Sequence, residues 1–119
     1  MKHTKYDQIS AFITKDKTLI RELLHPRVHG QGQVSLAEAL VAPGLVSELH
    51  LHKVTEEIYH FIQGCGTMTL GHEVFRVQDK DTVLIPPGTP HQVENTGAED
   101  MRILCICTPP YSHEDTELL

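Results

Sequence analysis

Two histidines one residue apart, His50 and His52, are followed by Glu57 and, further on, by His91. Imidazole nitrogen and carboxylate oxygen together form a mixed N/O set suited to a divalent transition metal, whereas structural zinc more often takes thiolates and fills every position. Four such ligands on a six-coordinate ion leave positions open for water, substrate or dioxygen. The cysteines do not compete for this role. Cys65 stands alone, and Cys105 and Cys107 sit one residue apart in the apolar run ILCIC, with no C-x-x-C spacing. They read as buried reduced thiols behaving as small hydrophobes.

The elements that must position these groups are strands and turns. Successive side chains on a strand face opposite ways, so His50 and His52 project together. Glu57, five residues beyond His52, would fall on the wrong face of one unbroken strand. A turn at Lys53-Val54-Thr55 is therefore expected, with a new strand starting at Glu56 or Glu57 and running to Gly64 in hairpin fashion. A turn shorter by one residue would put Glu56 in place of Glu57, but the count to Gly64 favours Glu57. The stretch DTVLIPPGTPHQVEN aims His91: Pro86 and Pro87 fix φ, Gly88 permits a positive φ, and Pro90 holds Thr89 extended. The chain from His52 to His91 has room for about three strands, enough to bring His91 back beside the pair in a small barrel.

Elsewhere, short apolar runs recur between Gly, Pro and Asp signals, the pattern of an all-β sandwich or barrel. TLIRELL is ambiguous: Leu19 and Leu23 share a helical face, yet the segment equally suits an edge strand. HEDTELL is acidic, follows Pro109-Pro110, and reads as a tail laid over the body. Parity extends the site. Glu48 shares the face of His50 and His52 and is the candidate acid/base or imidazole-orienting carboxylate. Tyr59 and Phe61 share the face of Glu57, and Tyr59 is the candidate hydroxyl donor to a ligand. Val93 and Asn95 share the face of His91, whereas Glu56 and His60 point away. The other histidines, His3, His25, His29, His72 and His113, lie near the ends or at turns and read as solvated or locally bonded.

With 119 residues the chain is expected to form one domain, 1–119. Its net charge of -6, with no cluster of Lys or Arg, excludes a phosphate-tracking surface and hence a nucleic-acid partner. No stretch approaches the roughly 18 to 20 apolar residues that cross a bilayer, and MKHTKYDQIS has no apolar core, so a soluble, cytoplasmic protein without membrane contact is expected.

The spacing G-x5-H-x-H-x4-E-x6-G at Gly44, His50, His52, Glu57 and Gly64 resembles the first motif of the cupins, over residues 44–64. The second cupin motif, G-x5-P-x-G-x2-H-x3-N, is matched over residues 80–95 at Pro86, Gly88, His91 and Asn95, with Lys80 where its leading glycine belongs. The flanking segments SLAEALVAPG and PPYSHEDTELL also resemble those of small cupins of the conserved-barrel type. The resemblance implies a double-stranded β-helix, or jelly-roll barrel, commonly homodimeric. It further implies one divalent transition metal (Fe, Mn, Zn, Ni, Co or Cu) on His50, His52, Glu57 and His91. Similar barrels serve as dioxygenases, sugar-phosphate isomerases, lyases, decarboxylases and ligand sensors. The leading expectation is a metal-dependent enzyme, of dioxygenase or isomerase/lyase type, acting on a small oxygen-rich ligand. The alternatives are a non-catalytic small-molecule-binding module and a purely structural metal site.

Overall fold

The computed structural model describes residues 2–119. The strands are β1 (Phe12–Ile13), β2 (Leu19–Leu24), β3 (Ser35–Val41), β4 (His50–His52), β5 (Glu56–Gln63), β6 (Gly66–Leu70), β7 (Glu73–Val77), β8 (Thr82–Ile85), β9 (His91–Asn95), β10 (Met101–Thr108) and β11 (Thr116–Leu118). They form two antiparallel sheets, ordered β1-β2-β3-β10-β5-β8 and β11-β4-β9-β6-β7. This is the all-β barrel expected from the recurrent short runs; among the described residues it carries a 3-10 turn at Tyr6–Gln8 and one helical turn, α1, at Pro26–His29. No helix among the described residues is long and apolar enough to cross a membrane.

Alternation along the strands divides inside from outside. In β10, Met101, Ile103, Cys105 and Cys107 are buried, while the residues between them are half-buried on the outer face. Opposite them, β6 and β9 pair Met68 with Val93, both buried. Phe61, Met68 and Met101 are fully enclosed, and each such side chain contributes about 2 kcal/mol or more on burial. The apolar end of β5 and β10 thus closes the sandwich. The opposite end of the same strands, at Glu57 and Cys107, is polar.

TLIRELL is strand, not helix: β2 pairs with β3 through Leu19–Leu40, Ile20–Ala39 and Glu22–Ala37. Six residues could not nucleate a stable helix alone, and the open edge of β3 supplies ladder bonds instead. The turn at Lys53–Thr55 forms as expected, but β4 and β5 are not a hairpin. They belong to different sheets, so the turn crosses the sandwich from one wall to the other. Four strands, β5 to β8, lie between His52 and His91, one more than the residue count suggests. HEDTELL is not a loose tail, since its last residues make β11 on the free edge of β4.

Lys80 adopts a φ of 75° where the resembling pattern has glycine. The left-handed bend therefore persists without it, at a cost of about 1 kcal/mol. Gly88, at φ 74°, has the positive φ its turn requires.

Candidate metal centre

β4 and β9 are antiparallel neighbours, and their register sets His50 directly opposite His91, with ring centroids 4.1 Å apart. His52, two residues along β4 on the same face, has its ring 5.1 Å from His50 and 5.3 Å from His91. All three are buried, and one nitrogen from each lies within 4.8 Å of the others. The sequence parity of β4 and the rigid Pro-Gly turn before β9 together account for this convergence.

Outer partners fix which nitrogen faces inward. His50 Nδ1 lies 2.8 Å from the Glu48 carbonyl and His91 Nδ1 lies 3.0 Å from the Thr89 carbonyl. A carbonyl only accepts, so each Nδ1 donates. His52 Nδ1 lies 3.0 Å from Thr116 Oγ1, whose own proton is given to the Ser112 carbonyl at 2.9 Å. The hydroxyl must then accept from His52. In the neutral imidazoles this leaves all three Nε2 atoms bare and turned to the common centre, the arrangement that metal-ligating histidines share.

Glu57 approaches from the facing sheet. Its Oε1 is 3.1 Å from His52 Nε2 and 3.6 Å from His91 Nε2, and its Oε2 accepts from Cys107 Sγ at 3.4 Å. Cys107 is the residue opposite Glu57 in the β5–β10 ladder. Burial alone would raise the Glu57 pKa, but the adjacent His52 and His91 reverse this and hold it down to about 2. The group is an anionic oxygen donor. Burial first, and then the neighbouring His91, lower the His50 pKa against an opposing pull from Asp16, so this imidazole is favoured in its neutral, ligating form.

These residues fit a cation. Glu57 Oε1 and His91 Nε2 are both buried with no hydrogen-bond partner. Orphaned acceptors in a dry interior are costly, and a positive ion among them satisfies both.

A cavity of about 40 Å³ adjoins the histidines and is lined by Asp16, Glu22, Tyr59, Cys105, Tyr111 and small residues of β3. Tyr59 lies on this cavity as its parity indicates, with its ring edge-on to His91 at 5.9 Å. Burial, then the Glu57 charge, raises its pKa well above the usual value, so the hydroxyl remains a donor. Phe61 shares that face but is wholly packed in the core. Glu56 is exposed and His60 bonds Thr82 on the outer face, so both point away as expected.

Glu48 is a correction. Its side chain is exposed and absent from the cavity wall, and only its carbonyl serves the site. The physical reason is that regular strand begins at His50, so two-residue parity does not reach back to position 48. The carboxylate beside His50 is instead Asp16, with Oδ2 3.6 Å from His50 Nε2. Asp16 lies in the turn from β1 to β2, where Oδ1 accepts from Thr14 Oγ1, Thr18 N and Thr18 Oγ1. The T-x-D-x-T spacing was the available signal. Cys105 and Cys107 are buried free thiols, whereas Cys65 is only half-buried.

Comparison with known proteins agrees with this architecture. The cupin domain family matches residues 37–107, and the chain belongs to that family. It is 53% identical over 116 residues to an uncharacterised protein of Methanocaldococcus jannaschii, covering 98% of this chain and 93% of that protein. The crystal structure of a predicted oxalate decarboxylase from Thermotoga maritima superposes with a TM-score of 0.78 at 22% identity, covering 91% of this chain and 99% of that one. The polyketide cyclase RemF of Streptomyces resistomycificus gives the same TM-score and identity, covering 91% of this chain and 79% of that one. At such identities the likeness is one of fold.

Proposed function

We propose that the protein is a metal-dependent enzyme acting on a small oxygen-rich molecule, with His50, His52, His91 and Glu57 holding one divalent transition metal. The observation that carries the reading is the pairing of three oriented imidazoles with two buried, unpartnered acceptors, His91 Nε2 and Glu57 Oε1. An ion held there would supply a Lewis acid for adjacent substrate oxygens or a binding place for dioxygen. Of the chain's own groups, Glu57 contributes fixed negative charge, and the Tyr59 hydroxyl is a donor for a bound oxygen. Asp16, which lies against His50, is the carboxylate placed to take or return a proton from a ligand in the cavity. Whether the reaction is of dioxygenase or isomerase/lyase type follows from which metal the cell loads.

The test is titration of protein bearing a full complement of cobalt(II) with a small oxygen chelator such as acetohydroxamic acid. A shifted visible spectrum is expected, and an unchanged one would remove the basis for an open coordination position.

A structural ion is the second reading, favoured by the size of the cavity: about 40 Å³ has room for only about three waters. Under that reading chelation lowers the melting temperature while no added ligand perturbs the metal spectrum.

The expected homodimer is also carried as a proposal. Leu36, Ile106, Ile58 and Leu84 form an apolar row across four strands on the outer face of the six-stranded sheet. A second copy is its proposed occupant, and the molar mass in solution of the Ile58→Lys variant against the unchanged protein tests it.

A further inference from the structure

The cavity beside the histidines is lined by three groups of the centre, His50, His52 and Glu57, and by two further acids, Asp16 and Glu22, yet by no Lys or Arg. Lys15, beside Asp16 in the chain, is turned elsewhere: its Nζ donates to the carbonyls of His113 and Thr116. Glu22 lies on β2 in the row Glu22–Ala37–Cys105–Tyr59, which runs across four strands on the inner face. It is therefore two strand spacings, about 10 Å, from Cys105. Ala37 and Cys105 are small, so the space between Glu22 and the centre is not filled by the row itself. Glu22 Oε2 is buried and accepts no hydrogen bond. Nor is His25 a counter-ion for it, because that ring is committed as a neutral tautomer, with Nδ1 accepting from Arg27 N and Nε2 donating to the Tyr111 carbonyl.

A divalent ion on the histidines would attract an anion, but Glu57 already offsets part of that charge, and two further carboxylates with no Lys or Arg beside them repel additional negative charge. We infer that this cavity takes a neutral or cationic ligand carrying a hydroxyl or ammonium donor that Glu22 accepts, and that it selects against dianions such as dicarboxylates and phosphate esters. The inference rests on the proposed open metal position and narrows what can enter it. Glu22 is the binding residue: it leaves the ion to the histidines and reads the opposite end of the ligand. At about 10 Å and an effective dielectric of about 25 to 50, one carboxylate is sufficient to change the affinity of a singly charged ligand by roughly three- to tenfold.

The experiment compares cobalt(II)-loaded protein with its Glu22→Gln variant, using three small chelators: acetohydroxamic acid, β-alanine hydroxamic acid with its ammonium group, and oxalate. Dissociation constants are read from the visible cobalt bands at pH 8. In Glu22→Gln the ammonium probe is expected to weaken by about three- to tenfold relative to acetohydroxamate, which itself chelates as a monoanion and tightens, while oxalate, a dianion, is expected to tighten more than acetohydroxamate. Using one probe on two proteins cancels its intrinsic affinity for cobalt. Glu22→Ala provides the same comparison if the glutamine variant does not fold. Binding of all three probes with unchanged constants in the variant, or a common shift of all three, overturns the inference alone. Failure of every probe to perturb the unsubstituted protein's spectrum overturns the open-position reading and the inference with it.

Discussion

Thr116 Oγ1 stands 3.0 Å from His52 Nδ1 although the two residues are 64 positions apart. Because the same hydroxyl gives its proton to Ser112, it can only accept from the ring, and so it dictates the tautomer that His52 presents to the centre. Thr116→Val keeps the shape and removes the acceptor. Metal affinity is expected to fall by about 10- to 100-fold, while Thr116→Ser retains it. Competition against a chromophoric chelator measures both, and equal affinities for the two variants would show that the contact is incidental.

His52→Ala should remove most of the bound metal, because it deletes one imidazole from the three that converge. Elemental analysis of the purified variant checks this. Near-stoichiometric metal would contradict the ligand assignment.

Acid should destabilise the metal-free protein in two separate windows. The His50 pKa is lower in the fold than its ordinary 6.5, so the unfolded chain binds more protons there, and stability is lost as pH falls below about 6.5. Glu57 has its pKa held at about 2 against an ordinary 4.5; its contribution is present above 4.5 and disappears as pH falls from 4.5 toward 2. Melting temperatures of the chelated protein measured from pH 8 to pH 3 should therefore decline twice, and Glu57→Gln should abolish the lower step. A profile flat across both windows would refute the assignment.

Thiol reactivity should distinguish the cysteines. Burial, reinforced by the Glu57 charge, raises the pKa of both the Cys105 and Cys107 thiols, so neither forms the reactive thiolate near neutral pH. Cys65, half-buried, is the residue expected to label in the native protein. Mass mapping after brief exposure to iodoacetamide should find Cys65 modified and the other two only after denaturation.

Gly66 is fixed by close approach. A Cβ there would lie 2.0 Å from the Glu94 carbonyl oxygen and 2.5 Å from Met101 Cε. Since the first obstacle is backbone of the paired strand β9, Gly66→Ala should cost about 3 kcal/mol, readable by urea unfolding. A loss below 1 kcal/mol, on the order of an ordinary surface change, would mean that the strands can separate there.

What was legible in the sequence was whatever followed a local period. His50 and His52 share a face because a strand repeats every two residues, and His91 follows from prolines and a glycine that leave its backbone little freedom. Glu57 was reached by counting to Gly64. The failures mark where local rules stop. Parity carried past the first residue of β4 misplaces Glu48, and nothing in Lys53-Val54-Thr55 distinguishes a change of sheet from a hairpin. Glu22 comes from a segment whose helical and strand periods are indistinguishable, and its place in the cavity depends on pairing with β3, a long-range choice; Asp16 lies in the turn before that strand and arrives with it. Thr116 lay in a stretch whose acidity suggested solvent, and only the free edge of β4 makes it a strand.

The order of synthesis gives the β11 pairing a further meaning. Both His50 and His91 take their orienting carbonyl from two residues upstream, so those two rings can be set as soon as their own strands form. His52 must wait for a strand made after every other ligand-bearing segment has been synthesised. A growing chain therefore holds at most an incomplete trap for stray cations, and tight capture is deferred until both walls of the barrel exist.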